Sequence, residues 1–280
     1  MRDETFMQWM RLLPKAVLSS AVGAATRAPA PAGLHHAAIR AFAQRYQVDL
    51  SEAEHPVADY PTFSEFFSRR LKAGLRPVDP DPKAVVSPVD GAVSQIGTVD
   101  GEACVQAKGI SFPLGRLLTT RPEAEGFRGG AFATLYLSPR DYHRIHAPLS
   151  GEILGYSYVP GEFWPVNRAS VRLKEALFCL NERLITYLRT PAGICAVVKV
   201  GATCVSRIRA SYDEVLTHQG GPARAKRYEK ALPVNKGDEL GAFEMGSTVI
   251  LLFEKGRVRW DAALAPESAV QVGRRMGELT

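Results

Sequence analysis

Ala147-Pro-Leu-Ser-Gly-Glu-Ile-Leu-Gly-Tyr-Ser-Tyr-Val159 joins a turn, read as small-Pro-apolar-polar-Gly, to the apolar run that follows it. The same pattern stands earlier as Ser87-Pro-Val-Asp-Gly-Ala-Val93, a weak internal repeat that predicts two similar hairpin layers. Around these turns lie short β-branched runs punctuated by Gly and Pro, at 85–86, 92–96, 131–137, 153–159, 196–200, 204–208 and 249–253. Such spacing is that of a β-rich core with few helices. Near the end, Leu232-Pro-Val-Asn-Lys-Gly-Asp-Glu-Leu-Gly-Ala-Phe243 reads as a strand, a Lys-Gly-Asp turn and a second strand.

Upstream of Pro77 the texture is helical. Ile39, Phe42, Ala43 and Tyr46 fall at helical spacing, which predicts an amphipathic helix over 35–48. Thr62-Phe-Ser-Glu65 after Pro61 is a capping box, and Phe63, Phe66, Phe67 and Leu71 follow it. Residues 4–24 gather Phe6, Met7, Trp9, Met10, Leu12, Leu13, Val17 and Leu18 around the cations Arg11 and Lys15. That composition suits a helix lying in a membrane interface, or one packed on its own domain or on a second subunit. The expected class is therefore α+β: N-terminal amphipathic helices over 1–75, then a β-rich, largely antiparallel core over 76–280.

Composition narrows the partners. Across 280 residues, 46% are hydrophobic and 23% charged, which excludes wholesale disorder and leaves ample chain for a buried core. Thirty-five Lys and Arg against 29 Asp and Glu leave a formal charge of +6, a mild argument for an anionic partner such as lipid head groups, phosphate or nucleic acid. Cys104, Cys179, Cys195 and Cys204 form no CxxC pair, so reduced core thiols are expected. Arg11, Pro14 and Lys15 interrupt the N-terminal apolar stretch and spoil both a signal-peptide core and a membrane span, which sets a cytoplasmic expectation.

Three positions could carry chemistry. Asp90 precedes Gly91 in a turn, where Asp-Gly is commonly structural. His143 and His146 lie in Ser138-Pro-Arg-Asp-Tyr-His-Arg-Ile-His-Ala-Pro148 after an apolar strand. Zinc chemistry needs a third ligand and a base at usable spacing, and neither HExxH nor HxH occurs, so no metal is expected. Paired acid and base work explains the two imidazoles with fewer assumptions. Ser247 follows Gly246 in Glu244-Met-Gly-Ser-Thr-Val-Ile-Leu-Leu-Phe253, either a plain turn into a buried strand or a hydroxyl beside a sterically open carbonyl. Such a hydroxyl needs a histidine base oriented by a carboxylate, and Asp90, His146 and Ser247 supply those three groups.

At this point the chain resembles the bacterial, pyruvoyl-dependent phosphatidylserine decarboxylase family along essentially its whole length. The resemblance is carried by Leu13-Pro-Lys15, Thr62-Phe-Ser-Glu-Phe-Phe67, Arg76-Pro-Val-Asp79, Ser87-Pro-Val-Asp-Gly91, Gln106-Ala-Lys-Gly109, Tyr136-Leu-Ser-Pro-Arg-Asp-Tyr-His-Arg-Ile-His146, Tyr158-Val-Pro-Gly161, Val166-Asn167, Asn181-Glu-Arg183, Val200-Gly-Ala-Thr203 and Gly246-Ser-Thr248. Each segment is weak alone, and their number and order make the joint signal specific. The family usually has Leu before Gly-Ser-Thr where this chain has Met245, a swap of similar volume.

The resemblance implies a self-cleaving proenzyme. Ser247 Oγ attacks the Gly246 carbonyl, with His146 as base and Asp90 holding its tautomer, and the chain is cut into 1–246 and 247–280. Ser247 becomes a covalent pyruvoyl cofactor and the Schiff-base site for phosphatidylserine, which loses CO₂ to give phosphatidylethanolamine. His143 is the proton donor to the substrate carbon, and Phe163, Trp164 and Asn167 are substrate contacts. The implied partners are the lipid substrate, an anionic membrane surface and the two fragments as a heterodimer, with a homo-oligomer of it left open and no nucleic acid. Location becomes peripheral on the cytoplasmic side of the cell membrane, with 6–18 as an interfacial anchor. The competing readings are a Ser-His-Asp hydrolase with intact Ser247, for which the GxSxG elbow is missing, and a non-enzymatic lipid-binding module.

Overall fold

The computed structural model describes residues 2–29, 31–101, 103–107, 109–119, 122–203, 207–218, 220–244 and 248–280. The chain opens with α1 (Arg2–Leu12), α2 (Lys15–Arg27), α3 (Ala32–Tyr46) and α4 (Phe63–Phe67). The apolar stretch 4–24 is divided at Pro14, which has no N–H to continue α1 and stands as the N-cap of α2. At α4 the capping box forms as expected, with the Thr62 hydroxyl accepting from the Glu65 N–H at 3.2 Å.

The strands are β1 (Ala84–Val86), β2 (Gly91–Thr98), β3 (Ala103–Ala107), β4 (Ile110–Pro113), β5 (Ala131–Tyr136), β6 (Arg144–His146), β7 (Gly151–Val159) and β8 (Arg183–Thr190). They continue as β9 (Gly193–Val200), β10 (Ile208–Ala210), β11 (Arg224–Val234), β12 (Glu239–Phe243), β13 (Thr248–Phe253), β14 (Val258–Trp260), β15 (Ala269–Val270) and β16 (Arg275–Leu279). Short helices α5 (Leu114–Leu118), α6 (Arg168–Leu173) and α7 (Leu177–Leu180) sit in the connections. The main sheet has the order β11-β7-β8-β9-β13-β5-β2-β15, and each pairing is antiparallel. The α+β reading holds. The expected strand at 204–208 falls partly on residues 204–206, outside the described residues, and β10 begins at Ile208.

Strand β13 lies inside this sheet, paired with β9 and β5, and all its residues are buried. Its alternation explains why. Ile250 and Leu252 join one core cluster with Phe132 and Val198, while Val249, Leu251 and Phe253 join another with Leu135 and Val197. A run apolar on both faces can only sit where both faces of the sheet are covered.

The two repeated turns are knitted to each other. Val86 N–H donates to the Pro148 carbonyl at 3.0 Å and His146 N–H to the Pro88 carbonyl at 2.8 Å, equivalent positions exchanging equivalent bonds. Gly91 and Gly151 open the strands beyond, and a Cβ on either would collide with the carbonyl oxygen of Tyr136 or Arg189. The Lys-Gly-Asp turn differs from a simple hairpin: β11 pairs with β7, while β12 pairs with β10 and β6 in a separate three-stranded sheet.

The N-terminal apolar residues are shared between two environments. Met7 and Met10 are buried in the core cluster that contains Trp164 and Val171. On the outer side, Trp9 is 65% exposed, Leu12 80% and Val17 66%. No helix among the described residues is long and apolar enough to cross a membrane.

Candidate active site

Asp90 and His146 are brought together by the paired turns just described. His146, the last residue of β6, is held through its backbone on Pro88, two residues before Asp90. Its Nδ1–H donates to the Gly237 carbonyl at 2.7 Å, and since a carbonyl can only accept, Nε2 carries the lone pair. Tyr142 donates its hydroxyl to that Nε2 at 3.3 Å, and burial pushes the Tyr142 pKa up to about 12, so the proton stays on the phenol. Burial also lowers the His146 pKa below the ordinary histidine value, opposed by the Gly237 bond and by the charges of Glu239 and Asp90. The imidazole is therefore a neutral base at pH 7.

The bond expected between Asp90 and His146 is made by Gly237 instead. Asp90 spends its oxygens elsewhere: Oδ1 accepts from Val272 N–H at 2.8 Å, and Oδ2 accepts from Arg76 Nε at 2.8 Å and Nη2 at 2.6 Å. Arg76 in turn reaches Glu52 through Nη1 at 3.1 Å and Nη2 at 2.7 Å. Burial lowers the Arg76 pKa, but the two carboxylates outweigh that and hold it above the ordinary value. Asp90 acts on His146 through its charge.

His143 is fully buried, its ring 4.1 Å from that of Phe67. Nδ1–H donates to the Asp141 carbonyl at 2.8 Å, and Nε2 has no hydrogen-bond partner among the described residues. Desolvation lowers its pKa to about 3, so it is neutral at physiological pH. Its backbone carbonyl accepts from Phe243 N–H at 2.9 Å, on the strand that leads to the Gly-Ser junction. Gly246 and Ser247 lie outside the described residues, as does Met245. The residue after them, Thr248, begins β13 and is aligned with Tyr136 and Val200.

Phe163 and Trp164 are buried, and Trp164 lies beneath the ammonium groups of Lys15 at 4.0 Å and Lys174 at 4.5 Å. Asn167 caps α6 by accepting from Ser170 N–H at 3.0 Å. Cys104, Cys179 and Cys195 are buried free thiols, and Cys204 is outside the described residues. Among the described residues no group of three His, Cys, Asp or Glu side chains is arranged to hold a metal. Arg76, Tyr142 and Gly237 carry no role in the sequence reading. Arg76 was visible within Arg76-Pro-Val-Asp79, whereas Gly237 acts through a carbonyl and leaves no side-chain signal.

A buried neutral histidine, an anchored carboxylate and a second imidazole with no partner at Nε2 among the described residues are groups able to take and give protons, and comparison with known proteins supplies the class, a decarboxylase. A match to the family described as phosphatidylserine decarboxylase covers residues 63–278, and the chain belongs to that family. It is 62% identical over 280 residues to the phosphatidylserine decarboxylase proenzyme of Myxococcus xanthus, with 100% of both chains covered. Proenzymes of the same name from Anaeromyxobacter sp. and Brevibacillus brevis are 56% and 40% identical, covering 99% and 94% of both chains.

Proposed function

We propose that this chain decarboxylates phosphatidylserine to phosphatidylethanolamine after cutting itself between Gly246 and Ser247. His146 Nε2 takes the Ser247 hydroxyl proton as Oγ bonds to the Gly246 carbonyl carbon and the peptide C–N bond breaks, giving an ester. Loss of the Ser247 α-proton expels the Gly246 carboxylate, and water displaces the nitrogen as ammonia to leave a pyruvoyl terminus. Asp90, pinned by Arg76 and Val272, supplies negative charge that favours the imidazolium formed on His146.

The surroundings fit such a group: His143 Nε2 is a buried acceptor with no partner among the described residues, and Thr248 borders an open cleft. The pyruvoyl ketone supplies an acceptor for the substrate amine and a sink for the electron pair left by CO₂. His143 accepts a proton at Nε2 as the substrate ammonium enters and returns it to the carbon that has lost CO₂. Phe163, Trp164 and Asn167 do not line this cleft: Asn167 caps α6 and Trp164 shares a core cluster with Val171, which places both behind the substrate wall, while Phe163 packs on His218.

The cut leaves residues 1–246 and a second piece of 280 − 246 = 34 residues. Because β13 is buried and paired on both edges, the pieces stay together as a heterodimer. The exposed face of α1 and α2 rests on the anionic, cytoplasmic surface of the cell membrane, with residues 1–75 as the membrane-association region.

The observation that most supports this reading is the His146 tautomer, with Nδ1–H committed to Gly237 and the Nε2 lone pair, which accepts from Tyr142, left as the basic site. Intact-mass analysis tests it, with and without phosphatidylserine and a carbonyl-trapping reductant. Native protein should give two pieces, the smaller gaining the lipid's mass, and Ser247→Ala should stay whole. A small piece beginning with a free amino group would overturn it.

A further inference from the structure

A cleft of about 680 Å³ opens beside Thr248, with α6 on one side and β2 and the turn before β15 on the other. Thr248 is joined to Ser247, the first residue after the proposed cut, so a ligand in this cleft can reach the terminus that cleavage creates. The lining is divided in character. Val166, Val171 and Phe178 are apolar, while Arg168 and Arg172 bring guanidinium groups from one face of α6, four residues apart. Arg168 is paired across the cleft with Glu267, an exposed ion pair. Arg172 has no carboxylate partner among the described residues.

The serine headgroup carries an ammonium, a carboxylate and a phosphodiester. The ammonium belongs at the new terminus. A guanidinium on the carboxylate would stabilise the charge that must disappear and oppose the departure of CO₂, so the carboxylate belongs against the apolar wall. The phosphodiester, a few bonds further out, is the remaining anion, and arginine matches its paired oxygens. On its other side α6 packs on α1, with Ser170 donating to the Met7 sulfur at 3.4 Å, so the cleft lies next to the helix that exposes Trp9 and Leu12. A lipid lifted from a bilayer has a short path.

We infer that Arg168 and Arg172 bind the substrate phosphodiester in this cleft, a phosphate oxygen taking the place of Glu267 on Arg168. The inference rests on the decarboxylase reading above and adds the substrate-recognising residues.

The test uses the self-processed enzyme and its Arg172→Gln, Arg168→Gln/Arg172→Gln and Glu267→Gln variants. Phosphatidylserine in mixed micelles is the substrate, and water-soluble glycerophosphoserine and free serine are the competing probes. The arginine variants should still yield two pieces by mass, while KM for the lipid and Ki for glycerophosphoserine rise about tenfold or more in the double variant and kcat changes less than about threefold. Glu267→Gln should lower both KM and Ki, and serine should compete equally with native and variant enzyme. Unchanged KM and Ki overturn the assignment. A raised KM with an unchanged Ki overturns it too, assigning the arginines to the micelle surface. Should the double variant fail to fold, Arg172→Gln carries the comparison, because its side chain is exposed. Native protein that is uncut or traps no carbonyl would sink the decarboxylase reading instead, an outcome read before any KM is measured.

Discussion

Arg76 clasps Asp90 with Nε and Nη2, at 2.8 and 2.6 Å from Oδ2, and carries that carboxylate's only ion pair among the described residues. The same guanidinium holds Glu52, so one cation ties the helical segment to the aspartate turn. Both ends of the Arg76–Asp90 pair are largely buried, and removing the cation strands Asp90. Arg76→Ala should cost about 3 kcal/mol of stability and slow self-cleavage. Arg76→Lys should recover little, since an ammonium cannot fork to two carboxylates. Thermal melts and the rate at which the small piece appears check both statements.

Self-cleavage should persist to mildly acidic pH. The His146 pKa lies below the ordinary histidine value, so the basic form survives as pH falls through 6.5 and the rate declines only below it. Asp90 favours the charged imidazole, so Asp90→Asn should move this acid limb to still lower pH while reducing the plateau rate. A rate profile that shifts to higher pH in Asp90→Asn would contradict the electrostatic role.

His143 should impose an acid limb on stability. Its pKa falls from 6.5 to about 3 on folding, so between those values the unfolded chain binds the extra proton and stability rises with pH. The contribution is whole above pH 6.5 and is lost progressively toward pH 3, amounting to about 2 kcal/mol lost by pH 5. In His143→Phe the loss in denaturant midpoint between pH 7 and pH 5 should shrink accordingly.

The two faces of α1 should separate by mutation. Trp9→Ser with Leu12→Ser removes exposed apolar surface and should weaken sedimentation with anionic vesicles at least tenfold, leaving the melting temperature within a few degrees. Met10→Ser changes a residue buried in the core cluster and should lower the melting temperature. Equal effects of both changes on vesicle binding would argue against a division of labour along this helix.

What sequence alone determined here is what local chemistry controls. Thr62 and Glu65 announce the α4 cap because a hydroxyl three residues before an N–H closes that bond within one turn. The run 249–253 announces a strand covered on both faces because it offers no polar face to water. Asp90, His146 and Ser247 were legible as candidates by residue type alone, and the repeated Pro-Gly turns as equivalents.

Tertiary structure decided the partners. The bond that fixes the His146 tautomer spans 91 residues to a glycine carbonyl, and the N–H that anchors Asp90 comes from Val272, 182 residues away. Pairing with strands remote in sequence also separates prediction from outcome at β11 and β12, neighbours in sequence that enter different sheets. Torsional preference and capping act over a few residues. Which distant backbone group meets a given side chain depends on how the whole buried surface closes, and no short stretch of chain encodes that.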